Sequence, residues 1–130
     1  MTATLNILSR NFVEGYSSYL ILASADNGKY KVFEETDSNL HDTELEAVTS
    51  ALKMAEKMGW RTTYIYCYPN ICKWGDLLRS NKPEAQEFKE VSQRLGKTSA
   101  VRLTGRPDNA ICKKMANFLE RRAVELGVIE

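Results

Sequence analysis

Polar and apolar positions in the first third of the chain alternate with the two-residue period of extended strands. Most of the rest repeats apolar positions every three or four residues, the period of amphipathic helices. Thr4–Leu8 alternates weakly, and Tyr16–Ala25 is rich in Tyr, Leu and Ile, as strands are. Lys29–Glu34 alternates so that one of its faces should be wet. Asp26-Asn27-Gly28, between these last two segments, supplies residues that tolerate positive φ, as a tight hairpin requires. Three antiparallel strands are therefore predicted at the start. A polar loop, Glu35 to His41, then leads to a helix in which Leu45, Val48, Leu52 and Ala55 form one stripe. Thr43 is its predicted N-cap, Glu46 completes a capping box, and Gly59 ends it.

Arg61–Tyr68 reads as a fourth strand, with Tyr64, Tyr66 and Tyr68 on one face. Such a stripe reads first as a packing layer with its hydroxyls at a wet edge; its other use is to stack bases. Pro69-Asn70 breaks the strand. Ile71–Leu78 reads as a short helix containing Trp74, and Pro83 fits the first turn of the next helix, whose inward stripe is Phe88, Val91 and Leu95 and which Gly96 closes. Ser99–Leu103 is a fifth strand and Thr104–Pro107 a turn. Asp108 caps a last helix with Ile111, Met115, Phe118 and Leu119 facing inward. Strands followed by helix–strand alternation predict an α/β fold, a five-stranded mixed sheet flanked by helices, in a single domain over residues 1–130.

Composition narrows the classes. Apolar and charged fractions of 43% and 27% are ordinary for a globular chain. No run approaches the roughly 18 apolar residues of a membrane span, and Met1 to Leu5 shows no basic region leading into an apolar stretch, so the expectation is a cytoplasmic chain. Cys67, Cys72 and Cys112 are an odd set without a secretory signal, which predicts reduced, inert thiols; they lack the close Cys-x-x-Cys spacing of a zinc site, and His41 is the single histidine. No Gly-x-Ser-x-Gly turn, glycine-rich phosphate loop or dinucleotide fingerprint is present. The net charge of +1 conceals an asymmetry: residues 1–52 carry three basic against eight acidic groups, and residues 53–130 carry fifteen against nine. The basic half is either a set of solvated helix faces or a surface for nucleic acid.

Two segments carry a resemblance. Glu44-Leu45-Glu46-Ala47-Val48-Thr49-Ser50-Ala51-Leu52 is similar to the Glu-Leu-x-Ala-x-x-x-Ala-Leu helix of ribonuclease H. Gly105-Arg106-Pro107-Asp108-Asn109-Ala110-Ile111-Cys112-Lys113-Lys114-Met115-Ala116 resembles the Gly-x-Pro-x-Asn-x-x-Cys-Asp-x-x-Ala motif that begins the last helix of that family. The predicted order of elements is also the family's. The resemblance implies a ribonuclease H-like fold and a site where four carboxylates hold two magnesium ions around the scissile phosphate. In this chain the helix acid is retained as Glu44. The other three positions fall on Ser9, Tyr68 and Lys113, with no Asp or Glu near the first two. A lysine there opposes a divalent cation, and the expected arrangement is a Glu44–Lys113 salt bridge in place of a metal site.

The expectation is thus a catalytically inactive ribonuclease H-like domain, with no cofactor, acting as a nucleic-acid-binding or scaffold module. Arg10, Asn70, Arg106, Lys113 and Lys114 are the candidate nucleic-acid contacts. One alternative is a magnesium- or manganese-dependent RNA–DNA hybrid ribonuclease with a site rearranged onto Asp42, Glu46 or Asp108. The other is a protein-interaction or oligomerisation domain, using the hairpin of residues 17–34 for strand addition and Trp60, Trp74 and the tyrosines as anchors.

Overall fold

A computed structural model describes residues 1–71 and 73–130. Strands β1 (Thr2–Val13), β2 (Tyr16–Ala25) and β3 (Gly28–Thr36) form an antiparallel meander, followed by helix α1 (Leu40–Met58). Then come strand β4 (Thr62–Tyr68), helix α2 (Trp74–Arg79), helix α3 (Gln86–Leu95) entered through a single turn at Pro83–Ala85, strand β5 (Ala100–Gly105) and helix α4 (Asn109–Glu125). The sheet order is β3-β2-β1-β4-β5. β1 and β2, and β2 and β3, are antiparallel; β4 runs parallel to both β1 and β5. This is the predicted five-stranded mixed sheet.

The two-residue period of β1 explains why helices lie on both faces. Ala3, Leu5 and Ile7 point to one side and join Ile21, Ile65, Trp60 and Phe88 in a core roofed by α1 and α3. Leu8 points to the other side and meets Leu20, Met115 and Leu119 under α4. Each such aliphatic side chain contributes about 1.5–3 kcal/mol on burial. Helix α4 packs against β1 and β2, and among the described residues Tyr64 and Tyr66 of β4 and Arg102 of β5 stay partly or fully exposed on that face.

Several local expectations are corrected. Helix α1 starts three residues before Thr43: Asn39 is its N-cap, accepting the Asp42 backbone N–H at 2.8 Å. Thr43 is buried inside the helix, its hydroxyl 2.7 Å from that of Thr36, so the capping box does not form. Gly59 ends the helix as expected, at φ 69°, a left-handed conformation that glycine adopts without steric cost. The helix predicted from Ile71 starts at Trp74. Trp60 is buried and Trp74 packs edge-on against Phe88 at 5.0 Å, so both tryptophans finish the core and neither is a free anchor. The Cys67 thiol is buried and faces the Pro69 carbonyl at 3.5 Å, and Cys112 is half-buried; Cys72 lies outside the described residues. Among the described residues no helix is long and apolar enough to cross a membrane.

Candidate nucleic-acid interface

Helix α1 crosses the sheet with Glu44 pointing down toward the end of β4. Its side chain is 0% exposed. The Oε1 atom accepts the Ile71 backbone N–H at 3.2 Å and faces the Cys67 thiol at 3.8 Å. Glu44 therefore ties the segment after β4 to α1. Ser9, on the face of β1 that looks toward α1, is 3% exposed, and its hydroxyl is buried without a hydrogen-bond partner.

The other sequence candidates lie outside this pocket. Tyr68 ends β4 and is 43% exposed. The Arg106 guanidinium lies 4.6 Å from the centre of its ring and donates to the Asn109 side-chain oxygen at 3.3 Å. Asp108 accepts the Ile111 backbone N–H at 2.9 Å and so caps α4. Arg10 is exposed, its guanidinium 5.0 Å over the Phe12 ring. Asn70 is half-buried, and Lys113 and Lys114 are exposed on the first turns of α4. The structure thus brings Tyr68, Arg106 and Asn109 together, and separately Glu44, Cys67 and Ile71. The expected Glu44–Lys113 pair is absent from the ion pairs of the described residues: Glu44 is buried and Lys113 is exposed on α4.

Asp42 and Glu46 also fail to join Glu44. They stand four residues apart on one side of α1, whereas Glu44, two from each, points the opposite way. They line an open hollow of about 470 Å³ with Glu34, Glu84 and Glu87, where Lys53 pairs with Glu87. Burial, then the nearby Glu34 carboxylate, raise the Glu46 carboxyl above its ordinary range.

No protein-family model and no curated protein sequence matches the chain. Solved structures do. Ribonuclease H1 from the halophilic archaeon Halobacterium salinarum superposes with a TM-score of 0.64 at 13% identity, over 92% of this chain and 94% of that one. The N-terminal ribonuclease H domain of rv2228c from Mycobacterium tuberculosis, solved as a maltose-binding-protein fusion, gives 0.71 at 12% identity, over 97% and 98%. The fold is ribonuclease H-like. A third similar structure is a foamy viral protease–reverse transcriptase solved in complex with dsDNA, at 0.59 and 13% identity over 92% and 88%.

A ribonuclease H-like fold raises the question of metal, and the residues present do not fit a magnesium pair. Magnesium takes hard oxygen ligands in near-octahedral geometry. Here the positions that the sequence resemblance assigns to metal-binding acids offer a hydroxyl (Ser9), a phenol (Tyr68), an ammonium (Lys113) and one carboxyl (Glu44) already engaged by a backbone amide. Among the described residues no three His, Cys, Asp or Glu side chains converge as a metal-holding group.

Sequence reasoning did not find the amide of Ile71, since a backbone donor leaves no compositional trace. It also missed Arg102, Lys29 and Lys31, which the strand register places on one open face of the sheet. The two-residue period of each strand was a usable signal for that face; the pairing of β4 with β5 was not in the sequence.

Proposed function

We propose that this chain is a catalytically inactive ribonuclease H-like domain that binds nucleic acid through phosphate contacts around the remnant of the family's cleft. The observation that carries the reading is the state of Glu44: fully buried, with Oε1 accepting the Ile71 N–H. A carboxyl used to hold a loop in place is not presented to a metal-bound phosphate. Beyond its pocket the exposed sequence candidates are mostly cationic or neutral, Arg10, Tyr68, Arg106, Lys113 and Lys114, with Asp108, spent as the cap of α4, the acid among them. Basic groups recognise a phosphate backbone with no metal between, at the cost of strong salt dependence. The dsDNA-bound foamy viral structure has a similar fold, which agrees with such a partner.

The test is filter binding of an RNA–DNA hybrid in EDTA, then with magnesium or manganese, followed by gel analysis of the strand. Binding should be metal-independent, should weaken with salt, and should fall in the double variant Lys113→Glu/Lys114→Glu, while the RNA stays intact. Metal-dependent cleavage abolished by Glu44→Gln would establish a nuclease and end this reading.

A further inference from the structure

Two of the three tyrosines of β4, Tyr64 and Tyr66, have no place in the cleft or the core. Tyr64 and Tyr66 are partly exposed, and neither packs against either apolar core. They point, with Tyr68, to the sheet face on which α4 packs over β1 and β2 and reaches Phe33 and Lys31 of β3 through Phe118. Successive tyrosines on a strand stand about 6.6 Å apart, close to two base-stacking layers of about 3.4 Å. The Arg106 guanidinium carbon lies 4.6 Å from the centre of the Tyr68 ring, so one end of the row already holds a planar cation.

Charge on the face matches the rings. In β5, Arg102 pairs in register with Tyr64. In β1, Asn6 pairs in register with Tyr66 on one side and with Leu22 of β2 on the other, and Leu22 in turn pairs with Lys31 of β3. Ser24 pairs with Lys29. A hollow of about 410 Å³ opens here, its lining including Asn6, Ser24, Lys29 and Lys31 and no acid. Every register-paired position on this half of the face is neutral or basic. A row of aromatic rings flanked by cations on both sides and crossed by no carboxylate fits a polyanion that also carries flat faces.

We infer that the open sheet face is a stacking platform for single-stranded nucleic acid, with bases on the rings of Tyr66 and Tyr64, Arg106 over Tyr68 closing one end of the row, and phosphates directed to Arg102 on one flank and Lys29 and Lys31 on the other. This deepens the proposed nucleic-acid function by naming a second surface and a strand class, and it stands or falls apart from the cleft. Stacking on each ring is sequence-tolerant, because every base has a π-face. Duplex is excluded, since its bases are already stacked on one another.

Fluorescence anisotropy on the full chain tests this, with a labelled oligothymidylate about 12 nucleotides long and, in parallel, an RNA–DNA hybrid. Tyr64→Ala/Tyr66→Ala should weaken oligothymidylate binding at least about tenfold, leave hybrid binding near wild type, and keep the circular-dichroism melt. Tyr64→Phe/Tyr66→Phe keeps the rings and should bind within about threefold of wild type. Oligothymidylate that fails to bind wild type at low salt overturns the platform, as does an alanine pair that binds like wild type. Loss of oligothymidylate binding only in Lys113→Glu/Lys114→Glu overturns it and leaves the cleft standing. Binding of the single strand with no binding of the hybrid keeps the platform and removes the cleft. A wild-type dimer that the alanine pair converts to monomer assigns the face to a second copy and also overturns it.

Discussion

Replacing Glu44 separates a structural acid from a catalytic one by sign. The side chain is 0% exposed and accepts the Ile71 backbone N–H at 3.2 Å, with the Cys67 thiol at 3.8 Å from the same oxygen. Glu44→Leu keeps most of the volume and removes the acceptor. Leaving the Ile71 amide without its partner costs about 1–3 kcal/mol. Glu44→Gln keeps a carbonyl oxygen able to accept that amide and should cost less, about 1 kcal/mol or below. Unfolding entropy of about 2.1 cal/mol/K per residue makes 1 kcal/mol worth about 4 °C of Tm in a chain of this size. The leucine variant should therefore melt about 4–11 °C below wild type, and the glutamine variant between the two. Thermal unfolding by circular dichroism, with and without magnesium, reads this directly. Acids kept for catalysis are held at a cost to stability, so removing one leaves Tm unchanged or raises it. If Glu44→Leu melts at or above wild type, or magnesium raises the wild-type Tm and not that of the variant, the structural account of Glu44 is wrong.

Two further outcomes test local readings. Asn39→Ala should cost about 1 kcal/mol in urea unfolding, and Thr43→Ser should leave the helix start unchanged, because Asn39 is the residue that accepts the Asp42 N–H; a larger loss at Thr43 than at Asn39 would restore the original cap assignment. Glu46 has a raised carboxyl pKa from burial and then from Glu34. The folded chain therefore holds a proton that the unfolded chain has released, and stability is greatest below the ordinary carboxylate pKa of about 4.3 and falls as pH rises through the raised value. Glu46→Gln should raise Tm at pH 7, by the equivalent of a few tenths of a kcal/mol at so exposed a site, and the gain should vanish near pH 4. A gain that grows on acidification contradicts the sign.

How far the sequence exposed this architecture depended on how local each signal was. The strands, the stripe of α1 and the glycine at its end were legible because period and turn chemistry act over a few residues. Helix α1 began earlier than read because two capping residues, Asn39 and Thr43, stand four apart, and the choice between them depends on whether Thr43 is buried against Thr36. The predicted Glu44–Lys113 pair does not form. Glu44 is buried at the end of β4, whereas Lys113 is exposed on α4. The motif fixes which residue replaces the acid, and tertiary packing decides that the two side chains do not pair. The tyrosine stripe was visible, but whether it faced a core or open water turned on where α4 comes to lie, which is set by tertiary packing.

The substitutions in the cleft bear on binding and chemistry differently. Relative to the four carboxylates implied by the ribonuclease H resemblance, a hydroxyl at Ser9 and a phenol at Tyr68 each remove one formal negative charge, and an ammonium at Lys113 changes the count by two. The region is thereby shifted by four positive charges, the same formal charge as two divalent ions. On the proposed reading, a phosphate that reaches this surface meets about the charge balance that metals would otherwise supply. It does not meet what metals do besides carry charge: no Lewis acid polarises the phosphoryl oxygen and no bound water is driven toward hydroxide. Ammonium and guanidinium groups are also tethered and hydrated at the surface, where attraction to phosphate is screened within about 10 Å at 0.1 M salt. On that same proposal, charge compensation without those functions favours binding that is reversible and salt-sensitive, and it would remove the step that consumes the bound strand. A polyanion partner would then be held intact, and recovery of uncut strand after binding in magnesium is the outcome the proposal requires.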